Sequence, residues 1–168
     1  MSTEEIETLT SRQTLILGKN GQQLIQDFTV LICGLNGVGI EIAKSLSMIG
    51  VGKVFLYDNS IISPRDIKNN IYLTDTSDIG KLKMTVLLPR LQQLNPLTKM
   101  RPFTASITAK AIANESIKLV VFCNQFLNLD LEELDKDLIN HNISVLISEY
   151  YGLSFFIFSN FGSTYTYE

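Results

Sequence analysis

Apolar positions along the chain change their period several times, and each change marks an element. Leu15, Leu17, Leu24, Ile25 and Phe28 recur near helical spacing around Gly18–Lys19–Asn20–Gly21, which predicts two short helices ahead of the first strand. Val30 to Cys33 is a continuous apolar run of the buried-strand type. The glycine-rich segment Gly34–Leu35–Asn36–Gly37–Val38–Gly39 comes next. Ile40, Ile42, Ala43, Leu46 and Ile49 then form the apolar stripe of a helix that starts near Gly37 and stops at Gly50–Val51–Gly52. Lys53 to Tyr57 predicts a second strand, Asn59 to Asn70 a polar loop containing Ser63–Pro64–Arg65–Asp66, and Asp78 to about Leu94 a helix closed by Asn95–Pro96.

Further along, Met100 to Phe103, Leu119 to Phe122, Val145 to Ser148 and Leu153 to Phe158 predict strands, and Thr108 to Asn114 and Leu127 to Asn140 predict helices. Strand and helix in alternation demand an α/β fold: a Rossmann-like, doubly wound, mostly parallel sheet with helices on both faces. The link Tyr150–Tyr151–Gly152 is too short for a crossover, so the last strand should run antiparallel to its predecessor. Residues 1–10 are polar and are expected to be a disordered leader, 11–162 one domain with a helical lead-in, and 163–168 the start of a following segment or insertion. The aromatic and β-branched ending, Tyr165–Thr166–Tyr167–Glu168, suits a further strand and reads as a piece of a longer protein.

Composition narrows the picture. With 168 residues, 45% hydrophobic and 18% charged, the chain can bury one sizeable core. A net charge of −3 and the lack of a Lys/Arg run argue against a nucleic-acid partner. No apolar run is long enough to span a bilayer, and the first residues lack the pattern of a signal peptide, so a cytoplasmic and nuclear setting and no membrane partner are expected. Cys33 and Cys123 each end an apolar strand without a neighbouring ligand, which reads as reduced buried thiols.

The glycine segment carries the candidate chemistry. A dinucleotide fingerprint places glycine first, third and sixth, and here those places hold Gly34, Asn36 and Gly39, with Gly37 in addition. Asn is tolerant of positive φ, so the turn is expected to survive, while its side chain narrows the approach to a phosphate. Asp58, after the second strand, stands where a ribose hydroxyl would be bound. The plainer alternatives are an α/β crossover whose glycines only permit close packing, an Asp58 that closes a loop, and an Arg12 that is a helix-surface charge.

Ser11–Arg12–Gln13, the glycine segment with Glu41–Ile42–Ala43–Lys44 after it, Asp58, Asp78–Ile79–Gly80–Lys81 and Leu94–Asn95–Pro96 occur in one order. In that order the chain resembles the adenylating domains of the ubiquitin-activating enzyme family, whose relatives include bacterial enzymes that adenylate sulfur-carrier proteins. The resemblance implies ATP-dependent adenylation of the C-terminus of ubiquitin or a ubiquitin-like protein, and transfer to a catalytic cysteine in the larger enzyme. It makes Gly34, Asn36, Gly37, Gly39, Asp58 and Lys83 a nucleotide site. That site is vestigial, because active members carry Asn-x-x-Arg-Gln where this chain has Asp66–Ile67–Lys68–Asn69–Asn70, and a metal-binding aspartate where it has Cys123–Asn124–Gln125–Phe126–Leu127. The resemblance therefore implies an inactive adenylation half with no tightly bound cofactor or metal, ATP and Mg²⁺ being used by an active adenylation domain in the same chain or a partner subunit. Arg12 is the residue the resemblance sends across the interface to that partner's ATP. Phe156 to Gly162 resembles the point at which the single-chain ubiquitin enzyme inserts its first catalytic-cysteine half-domain. A cut-out half should also self-associate as a dimer. The alternatives are the small subunit of a two-chain SUMO- or NEDD8-activating enzyme, a self-sufficient homodimeric adenylating enzyme, and a Rossmann oxidoreductase.

Overall fold

A computed structural model describes residues 3–124 and 130–163 of the chain. Helix α1 (Thr3–Asp27) is two helices joined at Gly18, whose φ of 73° and ψ of 168° break the helical run where the glycines predicted a break. Its start at Thr3 lies inside the segment read from composition as a disordered leader. Within that segment Thr10 is 6% exposed, and its hydroxyl donates to the Ile6 carbonyl one turn back at 2.8 Å.

The remaining elements are β1 (Thr29–Cys33), α2 (Gly37–Met48), β2 (Lys53–Tyr57), α3 (Pro64–Asn69), α4 (Lys83–Gln92), β3 (Lys99–Pro102), α5 (Ala109–Asn114), β4 (Leu119–Cys123), α6 (Leu131–Asn140), β5 (Ser144–Tyr151) and β6 (Ser154–Asn160). They build one six-stranded sheet in the order β3-β2-β1-β4-β5-β6. Every pairing is parallel except β5 with β6; Tyr150 and Tyr151, expected in the link, extend β5, and Gly152 and Leu153 alone join the two strands. The fold is therefore α/β and Rossmann-like, with an antiparallel last strand.

Alternate residues of the central strands feed two cores. Val30, Ile32, Val54, Leu56, Val121 and Cys123 face Ile40 and Ala43 of α2 and Leu87 and Leu91 of α4. Leu31, Cys33, Phe55, Val120, Phe122 and Val145 face Ile112 of α5 and Leu138 of α6. Burial on both sides is why these strands read as unbroken apolar runs. Among the described residues no helix is long and apolar enough to cross a membrane.

Two local elements differ from the sequence pattern. The expected polar loop 59–70 contains helix α3, nucleated by a capping box in which Ser63 and Asp66 bond reciprocally, with Pro64 in the first turn. The helix expected from Asp78 begins at Lys83. Residues Thr76–Asp78 form a single 3₁₀ turn, Gly80 takes a φ of 88°, and Leu82 bridges to Ile61, so the chain is extended before α4 can start. The helix expected from Leu127 begins at Leu131, because Asp130 caps it there, its side chain accepting from the Glu133 N–H at 3.1 Å; residues 127–129 lie outside the described residues.

Candidate functional site

The strand order reverses between β1 and β4, and in open α/β sheets the crevice at the C-terminal ends of such strands is where ligands bind. The glycine segment forms its floor. Gly34 has a φ of 101°, which suits glycine, and its N–H donates to the Tyr57 carbonyl at 2.8 Å, holding the turn to β2. A Cβ on Gly39 would stand 1.9 Å from the Gly34 carbonyl oxygen, so α2 can lie this close to β1 only with glycine there. Gly37 is exposed, and a Cβ on it would meet nothing within 4 Å.

Asn36 differs from its expected role. Its φ is −82° and its ψ −175°, an extended backbone, so it fits by capping α2: Oδ1 accepts from the Gly39 N–H at 2.9 Å. Its Nδ2 donates across the crevice to the Cys123 carbonyl at 3.0 Å and reaches Asn124 Oδ1 at 3.4 Å. One side chain thereby ties the glycine loop to the end of β4.

Asp58 is 3% exposed and both its oxygens are engaged. Oδ2 accepts from the Leu35 N–H at 2.7 Å, while Oδ1 accepts from the Ser60 N–H at 2.7 Å and the Ser60 hydroxyl at 2.5 Å. Lys83 is also committed, with Nζ 2.8 Å from Asp66 Oδ1 and its side chain 12% exposed. Burial opposes ionisation of Asp66, but the bonds from Lys83 and Ser63 outweigh it and hold the carboxyl below its ordinary value. Beside this pair, Asp78 binds Lys81 at 2.8 Å and Arg90 at 2.7 Å, and these cations keep its carboxyl low as well. Asn69 is exposed at the end of α3. Arg12 is exposed on the first arm of α1 and its guanidinium makes no hydrogen bond or ion pair with the described residues, whereas the side chain of its neighbour Gln13 donates to the Ile49 carbonyl at 3.1 Å.

The structure thus brings Gly34, Asn36, Gly39 and Asp58 together at the crevice, with Lys83 on the flank beside α3 and Arg12 on the lead-in helix. Pattern reading missed Asp66 as the partner of Lys83, Arg90 as the partner of Asp78, and Ser60 on Asp58. The spacing Ser63–Pro64–Arg65–Asp66 is a legible capping box, but nothing in it signals the lysine. The two thiols sit on opposite faces of the sheet, both buried. Burial pushes Cys123 up to about 12 and, with the nearby Cys123 and Asp58, pushes Cys33 up as well.

In this structure the residues read as a nucleotide site are engaged within the fold. Asp58 and Lys83 each have partners inside the chain, and Asn36 takes one of the N–H groups at the start of α2. No cluster of three or more His, Cys, Asp or Glu side chains that could hold a metal occurs among the described residues. Gln125, Phe126 and Leu127, part of the run read as lacking a carboxylate, lie outside them.

A six-stranded Rossmann-like sheet with a glycine turn at its reversal point defines the class. Residues 10–131 match the ThiF family, and the chain belongs to that family. It is 31% identical over 156 residues to ubiquitin-like modifier-activating enzyme 1 of Mus musculus, covering 93% of this chain and 14% of that protein. A ubiquitin-activating enzyme of Candida albicans is 35% identical over 169 residues, covering 98% of this chain and 16% of the relative. The chain therefore spans about a seventh of the length of these relatives. In fold it is similar to E. coli MccB crystallised with AMPCPP and MccA, at a TM-score of 0.74 and 18% identity, over 93% of this chain and 49% of MccB.

Proposed function

We infer that this chain is the non-catalytic adenylation half of a ubiquitin-activating type of enzyme. In this reading it docks on an active adenylation domain, in the same protein or a partner subunit, and completes the site in which that domain adenylates the C-terminus of ubiquitin or a ubiquitin-like protein. ATP and Mg²⁺ belong to the active half, whose product then moves to a catalytic cysteine elsewhere, in the cytoplasm and nucleus. The observation that carries the reading is the internal use of the nucleotide ligands: Asp58 is spent on Leu35 and Ser60, Lys83 on Asp66, and Asn36 spans the crevice. Family membership and the identity to ubiquitin-activating enzymes support the substrate class. Positioning and charge neutralisation carry adenyl transfer, and a site whose carboxylate and cation are each engaged elsewhere in the fold supplies less of both.

ATP–pyrophosphate exchange tests this. The chain alone, given ubiquitin and MgATP, should show no exchange above background, and an active adenylation domain should gain exchange when the chain is added. Exchange by the chain alone would establish a self-sufficient enzyme instead.

A further inference from the structure

Two neighbouring strands carry a cluster of cations that the fold itself does not use. In the parallel register Lys53 of β2 lies beside Lys99 of β3, and Phe55 lies beside Arg101. Register partners and alternate residues of a strand share a face, so Lys53, Lys99 and Arg101 rise from one side of the sheet around Phe55. The Phe55 ring, 6% exposed, has the Lys53 ammonium 5.8 Å from its centroid, a cation–π contact that holds this charge over the patch. With Pro102 and Glu115 these residues line a pocket of about 350 Å³, within the range of small-molecule sites. Among the described residues none of the three cations makes an ion pair or a side-chain hydrogen bond, with Glu115 or with any other group.

Like charges in adjacent places of a ladder repel, and the chain keeps them together although its net charge is −3. Protection of the sheet edge does not account for them. The Lys99 N–H donates inward to the Gly52 carbonyl at 3.0 Å and the Phe103 N–H to the Leu56 carbonyl at 2.8 Å, which leaves Met100 and Pro102 facing outward. Gln92 Oε1 takes the Met100 N–H at 2.8 Å, and proline has none. The edge therefore offers no donor even without charge, and Lys53 is not on the edge strand.

We propose that Lys53, Lys99 and Arg101 form an anion site for a compact oligophosphate, a small molecule carrying two or more linked phosphates. Three cations against the one carboxylate of Glu115 leave more positive charge than a single carboxylate ligand offsets. Adjacent strands lie about 4.8 Å apart and alternate residues of a strand about 6.6 Å, so the three side chains are rooted in a patch that suits neighbouring phosphates. The arginine fork can grip two oxygens of one phosphate while the ammonium groups act as point charges on the next. An extended acidic peptide fits less well, because the closed β3 edge gives its backbone nothing to pair with. A nucleic acid needs a longer basic track than two strands provide. The site shares no residue with the crevice and does not depend on the proposed function.

Isothermal titration of the 168-residue chain with inorganic tripolyphosphate, with amide chemical shifts followed in parallel, tests the site. Binding should shift the amides of residues 53–55, 99–101 and 115 and leave those of 34–39 in place. Arg101→Gln should weaken binding about ten-fold or more, the size of one lost charge-assisted hydrogen bond. Lys136→Gln, which removes a cation from the exposed face of α6, should leave it unchanged. Glu115→Gln should tighten binding, a gain that a merely structural role for the patch does not produce. Circular dichroism checks that each variant folds, and Lys99→Gln, at another exposed position, repeats the test if Arg101→Gln does not. No binding at millimolar tripolyphosphate overturns the proposal, as do shifts confined to 34–39 or an equal loss in Lys136→Gln. An acidic peptide or a single-stranded oligonucleotide that binds more tightly than tripolyphosphate, and loses its binding in Arg101→Gln, overturns the ligand class. None of these results is read from pyrophosphate exchange, so this site and the proposed function fail separately.

Discussion

Lys83 is held by a carboxylate on the neighbouring helix α3. Asp66 meets its Nζ at 2.8 Å while Ser63 holds the carboxylate from the other side. The sign of the resulting pH dependence is set by Asp66. Its folded-state pKa lies below the ordinary 3.8, so the pair stabilises the fold above that value, and the contribution is lost as pH falls through the lowered one. Acid titration monitored by circular dichroism should show stability dropping as pH falls below the ordinary carboxylate value. The drop should be shallower in Lys83→Met, where the ion pair is already gone at neutral pH. An identical acid limb in the two proteins would mean that the pair does not form in solution. The lysine is legible in the sequence because it comes after a recognisable turn. Its partner is not, since Asp66 reaches it only after a loop has become α3. Asn36 escapes the pattern for a related reason: the side chain that tolerates a left-handed turn also makes a good helix cap, and only the backbone angles distinguish the two uses.

At the scale of elements, the sheet is readable from sequence and its edges are not. Apolar runs separated by crossovers dictate parallel strands and a core on both faces, and the single short link dictates the antiparallel end. Short helices such as α3 escape periodicity because one and a half turns do not display it, and their existence is set by caps. α4 holds the opposite surprise, a proline inside a helix. Pro89 cannot donate to the Thr85 carbonyl one turn back, and both residues are exposed, so the missing bond faces water while Leu87 and Leu91 keep the other side of the helix packed. Tertiary packing has overridden propensity. Pro89→Ala should therefore raise stability by about 1–3 kcal/mol, read as a higher urea midpoint at constant m-value. A midpoint that stays or falls would show that the ring makes packing contacts worth as much as the lost bond.

For the molecule as a whole, the lead-in helix is the feature that a closed single domain does not explain. Leu15, Ile16 and Leu24 are 86%, 84% and 71% exposed, an apolar surface of the kind that marks an interaction site. Arg12 stands on the same arm, exposed and unpaired among the described residues, while Asp58 at the chain's own crevice and Lys83 on its flank are engaged. Under the proposed function this asymmetry is coherent: a half without chemistry of its own has no need of free ligands at its crevice, but must still send a cation to the active site opposite. Arginine suits that task because its planar, permanently charged fork can grip two phosphate oxygens at once. Arg12→Ala, assayed in complex with an active adenylation domain, should leave the fold and the complex intact and lower pyrophosphate exchange by about ten- to a thousand-fold, the range for losing one charged contact to the transition state. Arg12→Lys should recover only part of the loss, because an ammonium cannot make the bidentate contact. Full exchange by Arg12→Ala at saturating ATP would make Arg12 an ordinary helix-surface charge and reduce the role of the lead-in helix to docking alone.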